Sequence, residues 1–415
     1  MKAATSSPNP RNWVVFLCLS LLLGACLRLS FPGDIEYKGD EKYMFDASQK
    51  VGVTEPWPAL GMLSGANIDN PGMSVWIFVA LAKVTGASNP PELARAVQLM
   101  NILGLLALAF FVLRILPESQ RLPWYWATAF AAVNPAAVLF QRKIWAQSTL
   151  PLLCVLVWIA WHYRKTRWGA FFWGLVGACV GQIHMSGFYL AGGILLWTLL
   201  HDRAAKWGSW FLGSILGAVP LVPWLHYMAT KPANTAYFDW RYFWWLIYPK
   251  YWIYWLTNSL GLGLTHSLGS GPFKEFLRYP LIGGGPTYLA GLLHAAIVVL
   301  GCLFLYSAFR KGEFMRGIRD RSETGLAVNA VFIAAGVLMA LCGFRIFQHY
   351  LIMSFPLEWV WLARLNPGDS VKGRRLLGVL WAAQLLISVI FLAYIHVNHG
   401  VPGSDYGTAY QYQTP

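Results

Sequence analysis

Four places in this 415-residue sequence carry polar side chains of kinds that do chemistry, each beside a long apolar run. Asp40 and Glu41 are adjacent within Tyr37-Lys38-Gly39-Asp40-Glu41-Lys42-Tyr43-Met44-Phe45-Asp46. Arg142 and Lys143 are followed by Trp145 and Gln147; Gln182 and His184 form a third group, and Arg345, Gln348 and His349 a fourth. Carboxylates can take a proton from an acceptor hydroxyl or amine, or hold a divalent cation. Arginine and lysine can grip a phosphate, arginine through two parallel N–H bonds. Each group also has a plainer role, as solvated loop acids, snorkelling cations or a hydrogen-bonded helix-end histidine. Polar and ionisable groups at membrane depth are costly, so four of them gathering at one level point to a site.

The elements that position these residues follow from hydropathy. Fifty-seven per cent of the residues are hydrophobic and 12% charged, against roughly 25% charged in soluble domains. Apolar runs fall near 13–30, 95–113, 123–140, 147–163, 168–183, 186–200, 207–226, 286–309, 325–343, 347–363 and 376–397. A membrane-crossing helix needs about 20 residues, fewer where flanking residues snorkel. The expectation is an all-α polytopic membrane protein of about eleven spans. The stretch Met73 to Gly86 carries Lys83 and is too short to cross, which predicts a re-entrant or interfacial helix.

Charge sets the orientation. With the N-terminus inside and 73–86 kept outside, the inside loops hold 18 basic residues against six acids. Eleven acids, including Asp34, Glu36, Asp40, Glu41 and Asp405, fall outside. Counting 73–86 as a span would place Arg164-Lys165-Thr166-Arg167 outside, against the positive-inside rule. The sequence thus predicts a bacterial inner-membrane protein with a cytoplasmic N-terminus and its site on the periplasmic face. One integral domain, 1–397, would carry two long periplasmic loops, 31–94 and 227–285, ahead of a periplasmic tail, 398–415. Aromatics crowd the second loop from Tyr237 to Trp255, as in a helix lying at headgroup level.

The net charge of +14 is divided among short inter-span clusters, which argues against nucleic-acid binding. All six cysteines lie in apolar runs with no CxxC pair, and read as small hydrophobes. The first run reads as an uncleaved signal anchor, although Leu23-Gly24-Ala25-Cys26 also has the form of a relaxed lipobox. Glu358, inside the tenth run, reads as a partner for a neighbouring helix.

At the four polar groups the sequence resembles GT-C membrane glycosyltransferases. The type is that of protein O-mannosyltransferases, lipid A aminoarabinose transferases and related family 39 enzymes. The resemblance spans about residues 13 to 365. It is carried by Asp40-Glu41-Lys42-Tyr43 after the first span and by Asn70-Pro71-Gly72-Met73 opening a short helix that ends in Gly86. Asn134-Pro135 with Arg142, and Arg345-x-x-Gln348-His349-Tyr350-Leu351 before Pro356, complete it. It implies a polyprenyl-phosphate sugar donor, an outer-leaflet site and inversion at the sugar carbon. Asp40 or Glu41 matches the family's loop acid, and Arg142 a basic residue near the lipid phosphate. Two departures stand out. The family often has an Asp shortly after that arginine, where this chain reads Lys143-Ile144-Trp145-Ala146-Gln147, and a Lys is common where it has His184.

The expected activity is therefore transfer of a sugar from a polyprenyl-phosphate donor to a lipid, glycan or protein acceptor. Asp40 and Glu41 are the candidate catalytic acids, and Arg142, Lys143 and Arg345 the candidate phosphate ligands. Tyr43, Gln147, His184 and His349 are candidate substrate-binding residues. A divalent cation is compatible with the acids, but no ligand set is assigned. A transporter or lipid-linked sugar flippase is the alternative, disfavoured because no internal repeat is visible. A catalytically silent subunit of the same fold is a third reading, raised by the missing Asp.

Overall fold

The computed structural model describes residues 10–64, 68–230, 249–279, 285–343, 345–365 and 370–413. The aromatic stretch from Tyr237 to Tyr248 and the glycines Gly283 and Gly284 lie outside the described residues. Within them the chain is a bundle of helices with two small antiparallel hairpins. Each apolar run of the sequence becomes helical, but not each as one long rod. Among the described residues six helices are long and apolar enough to cross a membrane: Arg11–Leu29, Pro90–Ile115, Trp207–Thr230, Leu289–Arg310, Glu323–Ala340 and Val371–Val397. Shorter apolar helices cover Met73–Thr85, Ala146–His162 and Ser186–His201.

Local chemistry explains the breaks. The first span is α1 (Pro10–Leu29), followed by α2 (Gly39–Lys50) and α3 (Met73–Thr85). The 13 residues of α3 extend about 20 Å at 1.5 Å each, short of the ~30 Å hydrocarbon core. Gly86 ends it at φ +70°, a left-handed turn that other residues adopt only with strain. Helix α4 (Pro90–Phe110) starts where Asn89 accepts the Glu92 N–H at 3.1 Å and prolines fill the first turn. Helix α5 (Glu118–Val133) stops at Asn134, because Pro135 disfavours a helical residue before it. The Asn134 side chain then caps α6 (Pro135–Phe140) at the Ala137 N–H. The run 347–363 likewise divides into a 3₁₀ segment, Gln348–Ser354, and a helix, Leu357–Leu365, on either side of Pro356.

After α7 (Leu150–His162), helix α8 (Arg167–Ile183) packs tightly against the Trp207–Ala218 helix and, on another side, against α9 (Ser186–His201). Glycines permit the contact: a Cβ on Gly213 would sit 2.0 Å from the Phe171 carbonyl oxygen. Membrane helices pack through such small residues because lipid gives them no hydrophobic drive to associate.

The aromatics that fall in the described part of the second loop differ from the interfacial expectation. In the Lys250–Leu260 helix, Tyr251, Tyr254 and Trp255 are buried in the bundle. The Tyr251 hydroxyl donates to the Val331 carbonyl at 2.9 Å, and the Trp252 indole N–H to that of Phe332 at 2.8 Å. Those carbonyls belong to a π-helical turn, Ala330–Ala335, whose widened ladder can accept side-chain donors. The rings are turned inward by partners that hydropathy alone does not reveal.

Candidate active site

At one end of the bundle the chain folds into a clasp around the end of α1. Arg28, in the last turn of α1, is buried and donates to the Gln141 side chain and to the carbonyls of Ala131 and Ala132. Arg142 returns the contact. Its guanidinium donates to the carbonyls of Leu27 and Ser30 at 2.8 and 2.7 Å, and to those of Arg28, Phe31 and Asp34 at 3.2 Å each. These include carbonyls that the end of a helix leaves without intrahelical partners, where a cation also complements the helix dipole.

The clasp is completed by the tail. The Asp34 carboxylate is buried and accepts from Gln411 on one oxygen and, at 2.8 Å, His396 on the other. The Tyr406 hydroxyl donates to the Asp34 carbonyl at 2.8 Å. The backbone N–H groups of Tyr410 and Gln411 donate to the carbonyls of Ile35 and Gly33. A hairpin of Gly400–Val401 with Gly407–Thr408 shapes the tail for this contact.

Beside the clasp lies a cleft of about 580 Å³. Asp40 and Glu41 enter it from the first turn of α2, and Lys143 and Trp145 from the turn after α6. Arg345, Gln348 and His349 approach from the opposite wall, with His266 and Asp405 completing the rim. Asp40 is half-buried, with one carboxylate oxygen taking the Trp145 indole N–H at 3.1 Å. Glu41 is 3% exposed and accepts the Lys38 backbone N–H at 3.1 Å at the start of α2. Burial, then the neighbouring Glu36 charge, pushes the Glu41 carboxyl up to about 7, with Lys143 opposing. Lys143 is ion-paired with Glu36, and its ammonium lies 5.2 Å from the Trp145 ring centroid. His349 sits edge-on to the same ring at 4.7 Å.

Arg345 is exposed, with its guanidinium 4.9 Å from the Phe347 ring and no carboxylate partner among the described residues. It also lines a second, apolar slot of about 60 Å³ between Tyr189, Met339, Ile346 and Tyr350. His184 lies in that slot, its Nδ1 paired with the Ser186 hydroxyl at 2.7 Å.

The structure therefore brings together Asp40, Glu41, Lys143, Arg345 and His349. It separates the other candidates. Arg142, expected at a phosphate, is 4% exposed, lies outside the cleft lining and is committed to backbone carbonyls. Tyr43 stands 41% exposed one turn beyond Asp40 and does not line the cleft. Gln147 is buried in the 3₁₀ turn Ala146–Thr149 beneath it, and His184 faces the slot instead. Glu36, Trp145, His266 and Asp405 are cleft residues that motif reasoning did not select. Glu36 and Trp145 were legible as neighbours of the acid and basic motifs, whereas nothing in the sequence near Asp405 points to α2. Among the described residues no three His, Cys, Asp or Glu side chains converge where they could hold a metal ion.

No protein-family model matches the sequence, and no curated protein does. Solved structures do. ArnT from Cupriavidus metallidurans bound to undecaprenyl phosphate aligns over 94% of this chain with a TM-score of 0.52 and 15% identity. Its apo state aligns over 94% with a TM-score of 0.52 and 14% identity. The chain has the GT-C fold. It spans 65% of the length of the lipid-bound ArnT chain and 64% of the apo chain. The Archaeoglobus fulgidus oligosaccharyltransferase in its apo form also aligns, over 97% of this chain and 57% of its own, at 14% identity and a TM-score of 0.46.

Proposed function

We propose that this chain is an inverting glycosyltransferase, moving a sugar from a polyprenyl-phosphate donor to an acceptor at the periplasmic face of the inner membrane. The observation that carries the reading is Arg345. Without a carboxylate partner among the described residues, it stands at the junction of the acid-lined cleft and the apolar slot, where the phosphate of a lipid-linked sugar would meet its hydrocarbon tail. ArnT binds undecaprenyl phosphate on this fold, and the distribution of basic loops favours the cleft end as the outer one.

In this mechanism Asp40 takes the acceptor proton. One of its oxygens is held by Trp145, so the carboxylate is fixed while its other oxygen remains for the acceptor. The acceptor oxygen or nitrogen then bonds to the anomeric carbon from the face opposite the phosphate. The anomeric C–O bond breaks, and its electron pair leaves with the polyprenyl phosphate. Arg345 and Lys143 stabilise the charge that develops there, which lowers the barrier more than it tightens donor binding. Glu41, with its carboxyl near 7, is close to half-protonated at neutral pH and can donate a hydrogen bond that orients the acceptor. The acceptor is a lipid, glycan or protein.

The test is transfer of radiolabelled sugar from a panel of polyprenyl-phosphate sugars by purified protein in liposomes, with membrane extract as acceptor. Turnover in the wild type and none in Asp40→Asn/Glu41→Gln supports the reading and names the sugar. Undiminished turnover in the variant removes the acids from the mechanism. No donor consumption by folded wild-type protein turns the reading toward a flippase or a silent subunit.

A further inference from the structure

The described residues enclose a second large cavity, about 610 Å³, at the other end of the bundle from the cleft. Helix α5 connects the two: Ser119, Leu122 and Trp126 near its start line this cavity, and the turn after α6 supplies Lys143 to the cleft. The 16 residues of α5 alone rise about 24 Å, a large part of a bilayer's hydrocarbon thickness. The mouth is formed by the Glu313–Arg319 helix, which joins the spans Leu289–Arg310 and Glu323–Ala340. From there the cavity descends along Val328 and Phe332, five to nine residues into the second span, or roughly 8–14 Å of depth.

Its lining changes character along that descent. Arg316, Arg319 and Arg364 stand toward the mouth, and Trp126, Phe332 and Trp361 line the interior. Two of the arginines have carboxylate partners: Arg316 with Glu313 at 2.8 Å, and Arg364 with Asp320 at 2.5 Å. Arg319 is exposed and has none among the described residues. Inside, Phe332 and Trp361 stack at 5.5 Å. Trp126 is 5% exposed, and its indole N–H has no hydrogen-bond partner among the described residues. A buried donor left without an acceptor is costly, and is a reason to expect an acceptor from outside the chain.

We infer that this cavity binds an anionic phospholipid, with its phosphate at Arg319 and Arg316, its ester oxygens toward Trp126 and an acyl chain along Phe332 and Trp361. A cationic mouth above an apolar, aromatic interior matches an anionic amphiphile in both charge and polarity. A soluble anion would use only the mouth, and a zwitterionic lipid only the interior. The inference is independent of the sugar-transfer reading, because it uses none of the cleft residues.

The test is native mass spectrometry of the full chain in a neutral detergent, titrated with phosphatidylglycerol or phosphatidylcholine. The expected result is preferential retention of phosphatidylglycerol, at least tenfold weaker in Arg316→Gln/Arg319→Gln and largely restored by Arg316→Lys/Arg319→Lys. Arg203→Gln, an exposed arginine outside this cavity, should leave retention unchanged and so exclude a general effect of surface charge. Trp126→Phe removes the orphaned N–H together with the five-membered part of the indole, and should weaken retention a fewfold while the protein stays monodisperse. Equal retention of both lipids, or unchanged phosphatidylglycerol binding in the glutamine double variant, would overturn the inference. Displacement of the lipid by millimolar inorganic phosphate would overturn it too, by showing a site for the free anion.

Discussion

The two ends of the bundle both bury an arginine, but they balance its charge differently. At the end away from the cleft, Arg164 pairs with Asp202 and with Glu323, the latter at 2.6 Å. Arg364 and Arg316 there also have acidic partners. At the cleft end, Arg28 and Arg142 take up backbone carbonyls and an amide. The acids of α2 are left over: neither Asp40 nor Glu41 has an ion-pair partner among the described residues, although a cation-rich turn lies beside them. One end holds its buried arginine in fixed ion pairs, which is what a structural joint needs. The other satisfies its arginines with dipoles and keeps carboxylates available, which is what proton transfer needs.

The largest expected effect tests the free acids. Asp40→Asn/Glu41→Gln should lower sugar transfer by about 10²–10⁴-fold with undiminished folded yield. Asp40→Asn alone should account for most of the loss, and single-turnover rates in liposomes would apportion it. Next come the arginines. Arg164→Gln should cost about 1–3 kcal/mol by leaving the part-buried Asp202 and Glu323 carboxylates without their cation, yet leave the residual activity per folded molecule unchanged. Arg142→Gln should cost stability too, through carbonyls left without donors, but also activity, because the loop it holds leads directly into α2. Thermal unfolding and transfer measured on the same samples separate the two. If Arg142→Gln loses only stability, the clasp does not position the acids.

Smaller effects sharpen the same contrast. Arg345→Gln should lower kcat about 10–100-fold if it meets the leaving phosphate, with a lesser change in donor KM. Glu41 gives a pH signature of known sign. Its folded-state carboxyl lies at about 7, above the ordinary 4.5. The folded state therefore holds that proton more tightly than the unfolded chain. Its contribution to stability is complete below about pH 4.5 and lost as pH rises through about 7. Unfolding midpoints across that window should fall in the wild type, and the part due to this group should vanish in Glu41→Gln.

Much of this was legible in the sequence. Every apolar run found by hydropathy is helical, though α2 and the Glu313–Arg319 helix are too polar to show in it, and the Asn89-Pro90-Pro91 and Asn134-Pro135 signals marked real helix starts. Where the runs break was not, because Pro135 and Pro356 divide runs that hydropathy treats as continuous. Within the site, adjacency hid the decisive difference. Arg142 and Lys143 are neighbours in a turn rather than a helix, so no periodicity assigns their directions. One points into the carbonyls of α1 and the other into the cleft. Asp405 was invisible for a related reason, since its place depends on hydrogen bonds to residues more than 360 positions earlier.

That tail has a consequence for the time course of synthesis. Gln411 meets Asp34 across 377 residues. At about 5–20 residues per second, the ribosome needs roughly 20–75 s to make the chain between them. Through that interval the nascent protein can insert its helices one after another while the first loop waits without its final wall. Membrane insertion and completion of the cleft are thus separate events, and a chain stalled before residue 400 would be anchored in the bilayer but unfinished where the acids lie.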